Sequence, residues 1–266
     1  MKTKEEIVNN WLPRYTGVEV SDFNKYILLT NFNMYLDIFC TMTGASIVDK
    51  NKSMPCASSE KITMINFGMG SANAATIMDL LSAVSPAAVL FLGKCGGLKK
   101  ITKVGDLILP IAAIRGEGTS NDYFPPEVPA LPAFNLQRAV SSTIRDMGFD
   151  YWTGTVFTTN RRVWEYDDNF KEYLRLTRAM AIDMETATLF SVGFSNHIPT
   201  GSLLLVSDEP MMERGVKTSS SDKIVNEKYV NRHVEAGIRS LEEILSDGKS
   251  VRHLMFEDHL DQAEKK

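Results

Sequence analysis

Six short apolar runs recur along this chain, at 26 to 30 (YILLT), 62 to 67 (ITMINF), 87 to 92 (AAVLFL), 106 to 114 (DLILPIAAI), 153 to 158 (TGTVFT) and 202 to 206 (SLLLV). Each is strand-length. Stretches with the i, i+3, i+4 spacing of helices separate them, at 33 to 43, 71 to 84, 132 to 147, 167 to 177 and 182 to 196, and a last one follows at 223 to 246. That alternation predicts an α/β fold in which a sheet is covered by helices on both faces. Ser71, just after Gly68 and Gly70, reads as the N-cap of the second helix, since its hydroxyl can satisfy a free first-turn amide. The four prolines of YFPPEVPALPAF, 123 to 134, remove backbone donors and fix φ, so this stretch reads as an ordered excursion before a helix.

At 266 residues and 44% hydrophobic, the chain is large enough to bury one sizeable core, and no long polar spacer divides it. Its 29 basic and 33 acidic residues leave a net charge of −4 with no long block of either sign, which argues against nucleic-acid and membrane partners. The N-terminus, MKTKEEIVNNW, lacks the apolar core of a secretion signal, and no segment reaches the roughly 20 apolar residues that span a bilayer. A cytoplasmic protein is expected. Cys40, Cys56 and Cys95 are odd in number and far apart, and the four histidines are scattered, so neither disulfides nor a metal centre is expected. From about Asp247 the chain turns charged and reads as a tail.

Chemistry-bearing residues cluster at the ends of the apolar runs. FGMGSAN, 67 to 73, and LGKCGGLKK, 92 to 100, read as glycine turns after strands, where backbone amides approach a phosphate or sugar closely; the same glycines also serve a merely tight turn. Neither is a dinucleotide fingerprint or a Walker loop. Lys94, a cation between two buried elements, calls for an anionic partner. Within AMAIDMETATLF, 179 to 190, a helix over 182 to 196 would point Asp183 and Glu185 about 200° apart, so one of them faces inward. Asp183 suits a helix cap, whereas Glu185 suits adjacent hydroxyls, because an ionised carboxylate accepts at both oxygens. Asp208 ends a buried strand in LLLVSDEPM, where sheets deliver catalytic groups or turns begin. NRRVWEYD, 160 to 167, offers Arg161 and Arg162 to a phosphoryl group and the Trp164 face to a base, and Arg115 follows another strand.

In this order, GMG at 68 to 70, GKCGGL at 93 to 98, DMET at 183 to 186 and SDEP at 207 to 210 resemble the nucleoside phosphorylase and nucleosidase superfamily of the purine phosphorylase type, over about Tyr26 to Leu245. The longer strings RGEGTSNDYFPPEVPALPAF, YWTGTVFTTNRRVWEYD and AIDMETATLF are similar to the catalytic domain of the AMP nucleosidases within it. The resemblance implies a single-domain three-layer α/β/α sandwich with a central mixed sheet, with residues 1–25 as an N-terminal segment, 26–246 as the catalytic domain and 247–266 as a tail. It implies hydrolysis of AMP to adenine and ribose 5-phosphate without a cofactor. Homo-oligomers are implied too, commonly hexamers built as trimers of dimers.

Residue by residue, the resemblance gives Glu185 the ribose 2′ and 3′ hydroxyls, Met184 the sugar face and Asp208 the purine N7. Arg162, Val163 and Trp164 wall the base, and Gly70 and Gly96 bring backbone close to substrate. Lys94, Arg115, Arg162 and Lys217 are the candidates for the 5′-phosphate. Phosphorylases of the superfamily hold inorganic phosphate with arginines, but here TNFNMY, 30 to 35, and Phe91 stand at those places, which disfavours phosphorolysis. The glutamate-rich loop of other nucleosidases is also missing, leaving Asn31 and Asn33 to position a water. The additional N-terminal regulatory domain frequent in AMP nucleosidases finds no room before residue 26. Two alternatives are a phosphorylase or nucleosidase for unphosphorylated nucleosides and a non-catalytic nucleotide-binding module.

Overall fold

The structure is a computed structural model that describes residues 2–213 and 215–247; the tail expected from 247 onward lies almost wholly outside them. Eight strands form one mixed sheet: β1 (Tyr26–Thr30), β2 (Cys56–Ser58), β3 (Ile62–Asn66), β4 (Ala88–Gly97), β5 (Leu107–Gly116), β6 (Trp152–Thr159), β7 (Ala181–Asp183) and β8 (Thr200–Asp208). Their order is β2-β3-β1-β4-β7-β6-β5-β8, and β4 also pairs with β8. β4 is the hub. It runs parallel to β1 and to β8 and takes β7 antiparallel at its far end, so β4, β8, β5, β6 and β7 close into a ring.

Helices cover both faces. α1 (Lys4–Thr16), α3 (Ser71–Leu81) and α6 (Thr186–Ser195) contribute Val8, Leu12, Ile77, Met78, Leu189 and Val192 to one buried cluster. On the other face α2 (Asn33–Thr43), α4 (Phe134–Asp146) and α7 (Ser219–Asp247) bury Leu36, Phe39, Val140, Ile144, Val230 and Val234 against β1, β4 and β8. α5 (Asp168–Thr177) sits apart, over Phe157 and Trp164. The expected sheet between two helical layers is therefore what forms. Among the described residues no helix is long and apolar enough to cross a membrane, and none of the His, Cys, Asp and Glu side chains gather as a metal-holding group.

α1, closed by a Thr3–Glu6 capping box and by Gly17, packs into the main core. Three local expectations need correction. LGKCGGLKK is not a turn at its start: β4 runs on to Gly97, since β8 and β7 satisfy its backbone through the glycines. Those glycines serve close approach, and a Cβ on Gly96 would lie 2.9 Å from Pro210 and 3.2 Å from Ile182. The 182 to 196 helix starts only at Thr186, because residues 181–183 pair with β6 and β4 as a strand. Finally, Ser71 lies inside α3, whose N-cap is Gly70 at φ +93°, and its hydroxyl donates instead to the Met184 carbonyl at 2.7 Å.

Candidate active site

The carboxyl ends of β1, β4, β6, β7 and β8 meet around one cleft with about 650 Å³ of non-protein space, its open mouth included. Glu185 and Asp208 both line it. That convergence follows from topology, because β4 pairs with β7 through Gly96↔Ile182 and with β8 through Gly96↔Asp208, bringing both acids to the same bulged point of one strand.

Glu185 is 2% exposed and occupies the junction between β7 and α6. The Gly70 amide donates to its Oε1 at 2.8 Å and the Met184 amide to its Oε2 at 3.3 Å. Burial, reinforced by the charge of Asp183, pushes its pKa up to about 8, against the opposing pull of those amides and of the Asn31 side chain. The positive φ that glycine allows at position 70 is what turns this amide toward the carboxylate. Asp183 performs the capping role expected of it: Thr186 donates its amide to Oδ2 at 2.8 Å and also its hydroxyl, while Thr158 donates to Oδ1 at 2.7 Å. Its pKa is also raised by burial, although these bonds oppose the shift.

Asp208 ends β8, with Ser207 Oγ donating to Oδ1 at 2.6 Å. Burial raises its pKa, while the Ser207 bond and the charges of Lys217 and Arg162 hold it back. An acid whose proton is retained by desolvation can donate it to a basic atom that enters the cleft. Trp164, 4% exposed, lines the wall nearby and is held edge-on by Phe170 at 5.5 Å.

A cationic group lies across the cleft. Lys94 Nζ meets Asp222 Oδ1 at 3.0 Å and Asn226 Oδ1 at 2.5 Å, and it rests 4.6 Å above the Phe32 ring. Lys217 Nζ meets the same Asp222 oxygen at 2.9 Å. Burial pulls Lys94 below its ordinary pKa, with Asp222 opposing and Lys217 assisting. Burial acts to raise Asp222, yet its bonds to Lys217 and Lys94 outweigh that and hold it below the carboxylate range. The anionic partner called for by Lys94 is thus Asp222, from the first turn of α7. Behind Phe32, the Tyr35 hydroxyl bonds His233 Nδ1 at 2.9 Å, and His233 Nε2 donates to the Leu203 carbonyl at 2.9 Å. Burial drives the His233 pKa to about 3, so this imidazole is a neutral fixture that anchors the start of α2.

A family model described as the phosphorylase superfamily matches residues 55–242. The chain belongs to the phosphorylase superfamily. Among superfamily members, a solved structure of AMP nucleosidase from Bacteroides thetaiotaomicron is 58% identical, with a TM-score of 0.83 over 92% of this chain and 99% of that one. AMP nucleosidase of Escherichia coli K12 is 29% identical across 89% of this chain, which spans only 58% of that relative's length. Uridine phosphorylase from Vibrio fischeri, at 20% identity and a TM-score of 0.75, shares the fold.

Met184, Lys94, Gly96, Arg162, Trp164 and Lys217 line the cleft with the two acids. Three sequence-based candidates do not. Arg115 is spent on the proline-rich excursion: it donates to Ser120, Asn121 and the carbonyls of Phe124, Pro125 and Val128. Val163 is 66% exposed and outside the lining, since the turn after β6 directs Trp164 inward instead. Gly70 meets Glu185 rather than the cavity. Phe91, which the resemblance sets at the place of a phosphorylase arginine, is fully buried with its ring 5.7 Å from Phe67. Asn33 Oδ1 accepts from Asn66 at 2.6 Å and is absent from the lining, whereas Asn31 is part of it. Sequence reasoning missed Phe32, Met69, Glu165 and Asp222. Glu165 sat inside a motif already singled out, but no local pattern marks Asp222.

Proposed function

We propose that this chain hydrolyses the N-glycosidic bond of AMP, giving adenine and ribose 5-phosphate. One observation carries the reading: Glu185 and Asp208, on different elements, line a single cleft that also contains the Lys94 and Lys217 ammonium groups. The similarity to two AMP nucleosidases supports the same substrate.

Breaking the bond leaves cationic character on the sugar and negative charge on the departing purine, so catalysis must favour both over the ground state. In this reading Asp208 gives its proton to N7 as the C1′–N9 electrons move onto the base, a contribution of roughly 10² to 10⁴-fold. Glu185 holds the 2′ and 3′ hydroxyls, with Met184 against the sugar and Trp164 beside the base. Lys94, Lys217 and Arg162 receive the 5′-phosphate. Burial of Phe91 supports water, rather than inorganic phosphate, as the nucleophile. No cofactor enters this scheme. We also place the protein in the cytoplasm as a homo-oligomer, a hexamer of three dimers, on the superfamily resemblance and its free cysteines.

The test is incubation of purified protein with AMP or adenosine, with and without inorganic phosphate, with both products identified. Adenine and ribose 5-phosphate should appear from AMP in phosphate-free buffer. A strict phosphate requirement, or a preference for adenosine, would replace this reading with phosphorolysis or with a nucleosidase for unphosphorylated substrates.

A further inference from the structure

Asn31 follows β1 and lines the cleft, and its side chain lies against the Glu185 carboxylate, whose charge it stabilises. That contact uses the amide nitrogen. The other end of the same group, Oδ1, is buried and meets no hydrogen-bond donor among the described residues. A buried amide oxygen can only accept, and leaving it unpaired is costly, so the position suits a ligand or reactant that brings a donor.

Stereochemistry narrows the donor. In a β-nucleotide the 2′ and 3′ hydroxyls project from the ring face opposite the base. If Glu185 takes those hydroxyls, Asn31 beside it borders the face from which a nucleophile reaches C1′ while the purine leaves toward Asp208. The diol has two protons to give, and Glu185, once its own proton has left, has two oxygens to receive them. Asn33, the other amide of this loop, is already bonded to Asn66. We infer that Asn31 Oδ1 accepts a hydrogen bond from the attacking water and orients it toward C1′, an inference that rests on the AMP hydrolysis proposed above.

The step balances as follows. A lone pair of the water forms the C1′–O bond, and the C1′–N9 pair departs with adenine, which takes the Asp208 proton at N7. The oxygen now bonded to C1′ loses its surplus proton to solvent, and Asp208 regains one from solvent. Asn31 changes no protonation state. It is a catalytic residue only in touching the reacting water.

The experiment uses the full chain in phosphate-free buffer with AMP, with 2′-deoxy-AMP, and with methanol as a competing nucleophile. Asn31→Ala should lower kcat about 10 to 100-fold, the scale of a misplaced reactant, while KM for AMP stays within about threefold. The fractional loss should be the same with 2′-deoxy-AMP, and a larger share of product should be methyl riboside 5-phosphate, because methanol no longer competes with a positioned water. Asn31→Ser, whose oxygen falls short of the site, is read the same way if the alanine variant does not fold. An unchanged kcat would overturn the inference. So would a loss that vanishes with 2′-deoxy-AMP, which assigns Asn31 to the ribose, or a raised KM with unaltered methanol partition, which leaves it a support for Glu185. A parent protein that releases no adenine from AMP at all refutes the proposed function instead.

Discussion

Asp222 and Lys94 form a 3.0 Å ion pair in which the lysine side chain is only 4% exposed, and the same aspartate oxygen holds Lys217 at 2.9 Å. Two ammonium groups thus share one carboxylate at the cleft edge, leaving a net positive charge beside the space a nucleotide would fill. An incoming phosphate competes with Asp222 for these donors. Asp222→Asn should therefore tighten phosphorylated ligands: KM for AMP falling about 3 to 10-fold, inorganic phosphate inhibiting at lower concentration, and adenosine kinetics unmoved. Steady-state kinetics with the three compounds check this, and a rise in KM for AMP would show that Asp222 assists binding.

Asp208→Asn should keep the fold and lose turnover by roughly 10² to 10⁴-fold, because the amide cannot deliver a proton to the base. Binding of AMP, measured by calorimetry, should change much less. The sign of the pH dependence follows from burial, which raises the Asp208 pKa so that the donating form survives to higher pH. Turnover of the parent should fall on the alkaline side as that proton is lost, and the residual rate of the variant should lack this limb. Activity within about threefold of the parent would remove Asp208 from the acid role.

Glu185 supplies a stability test independent of turnover. Its pKa rises from 4.5 to about 8 on folding, chiefly through burial and next through Asp183. Below pH 4.5 the group is protonated in both states and contributes no penalty. Between 4.5 and 8 the unfolded chain releases the proton while the folded chain keeps it, so stability declines with rising pH until the folded pKa is passed. Asp183, also shifted upward, acts in the same direction. Glu185→Gln removes the Glu185 share of this slope. The drop in Tm between pH 5 and pH 8 should shrink by about 5 °C, the change that about 2 kcal/mol produces in a domain of this size. Thermal melts at the two pH values decide it.

The periodic elements were readable because their physics is local. β1 and β8 alternate with helices whose apolar spacing shows in the string itself, and the cores under them follow. The failures fall where tertiary pairing overrides a local signal. Ala181–Asp183 reads as helix because a strand buried on both faces carries no alternation, and only its pairing with β4 and β6 reveals it. Glycines at 93 to 97 suggested a turn, yet the close approach of Pro210 and Ile182 is what requires Gly96. Asp208 and Glu185 could be singled out, as acids interrupting apolar runs. Asp222 could not, since TSSSDKIVNEK looks like any solvated helix start until α7 is laid across β4. An arginine after a strand says nothing of its direction, and Arg115 turned toward its own loop.

That last residue yields a prediction opposite to its expected role. The Arg115 guanidinium gathers the proline-rich excursion by donating to the Phe124, Pro125 and Val128 carbonyls and to the Ser120 and Asn121 side chains. Proline lacks an amide proton, so this stretch has fewer means than most of satisfying its own carbonyls, and one fork of five donors replaces a ladder. Arg115→Ala strands several of those acceptors at once and should cost about 1–3 kcal/mol of stability, the range for a part-buried group left unpaired. Arg115→Lys should recover only part of it, since one ammonium cannot span the fork. In folded protein KM for AMP should stay within about twofold for both variants. Denaturant unfolding beside AMP kinetics separates the two roles: a large rise in KM with little loss of stability would return Arg115 to the phosphate.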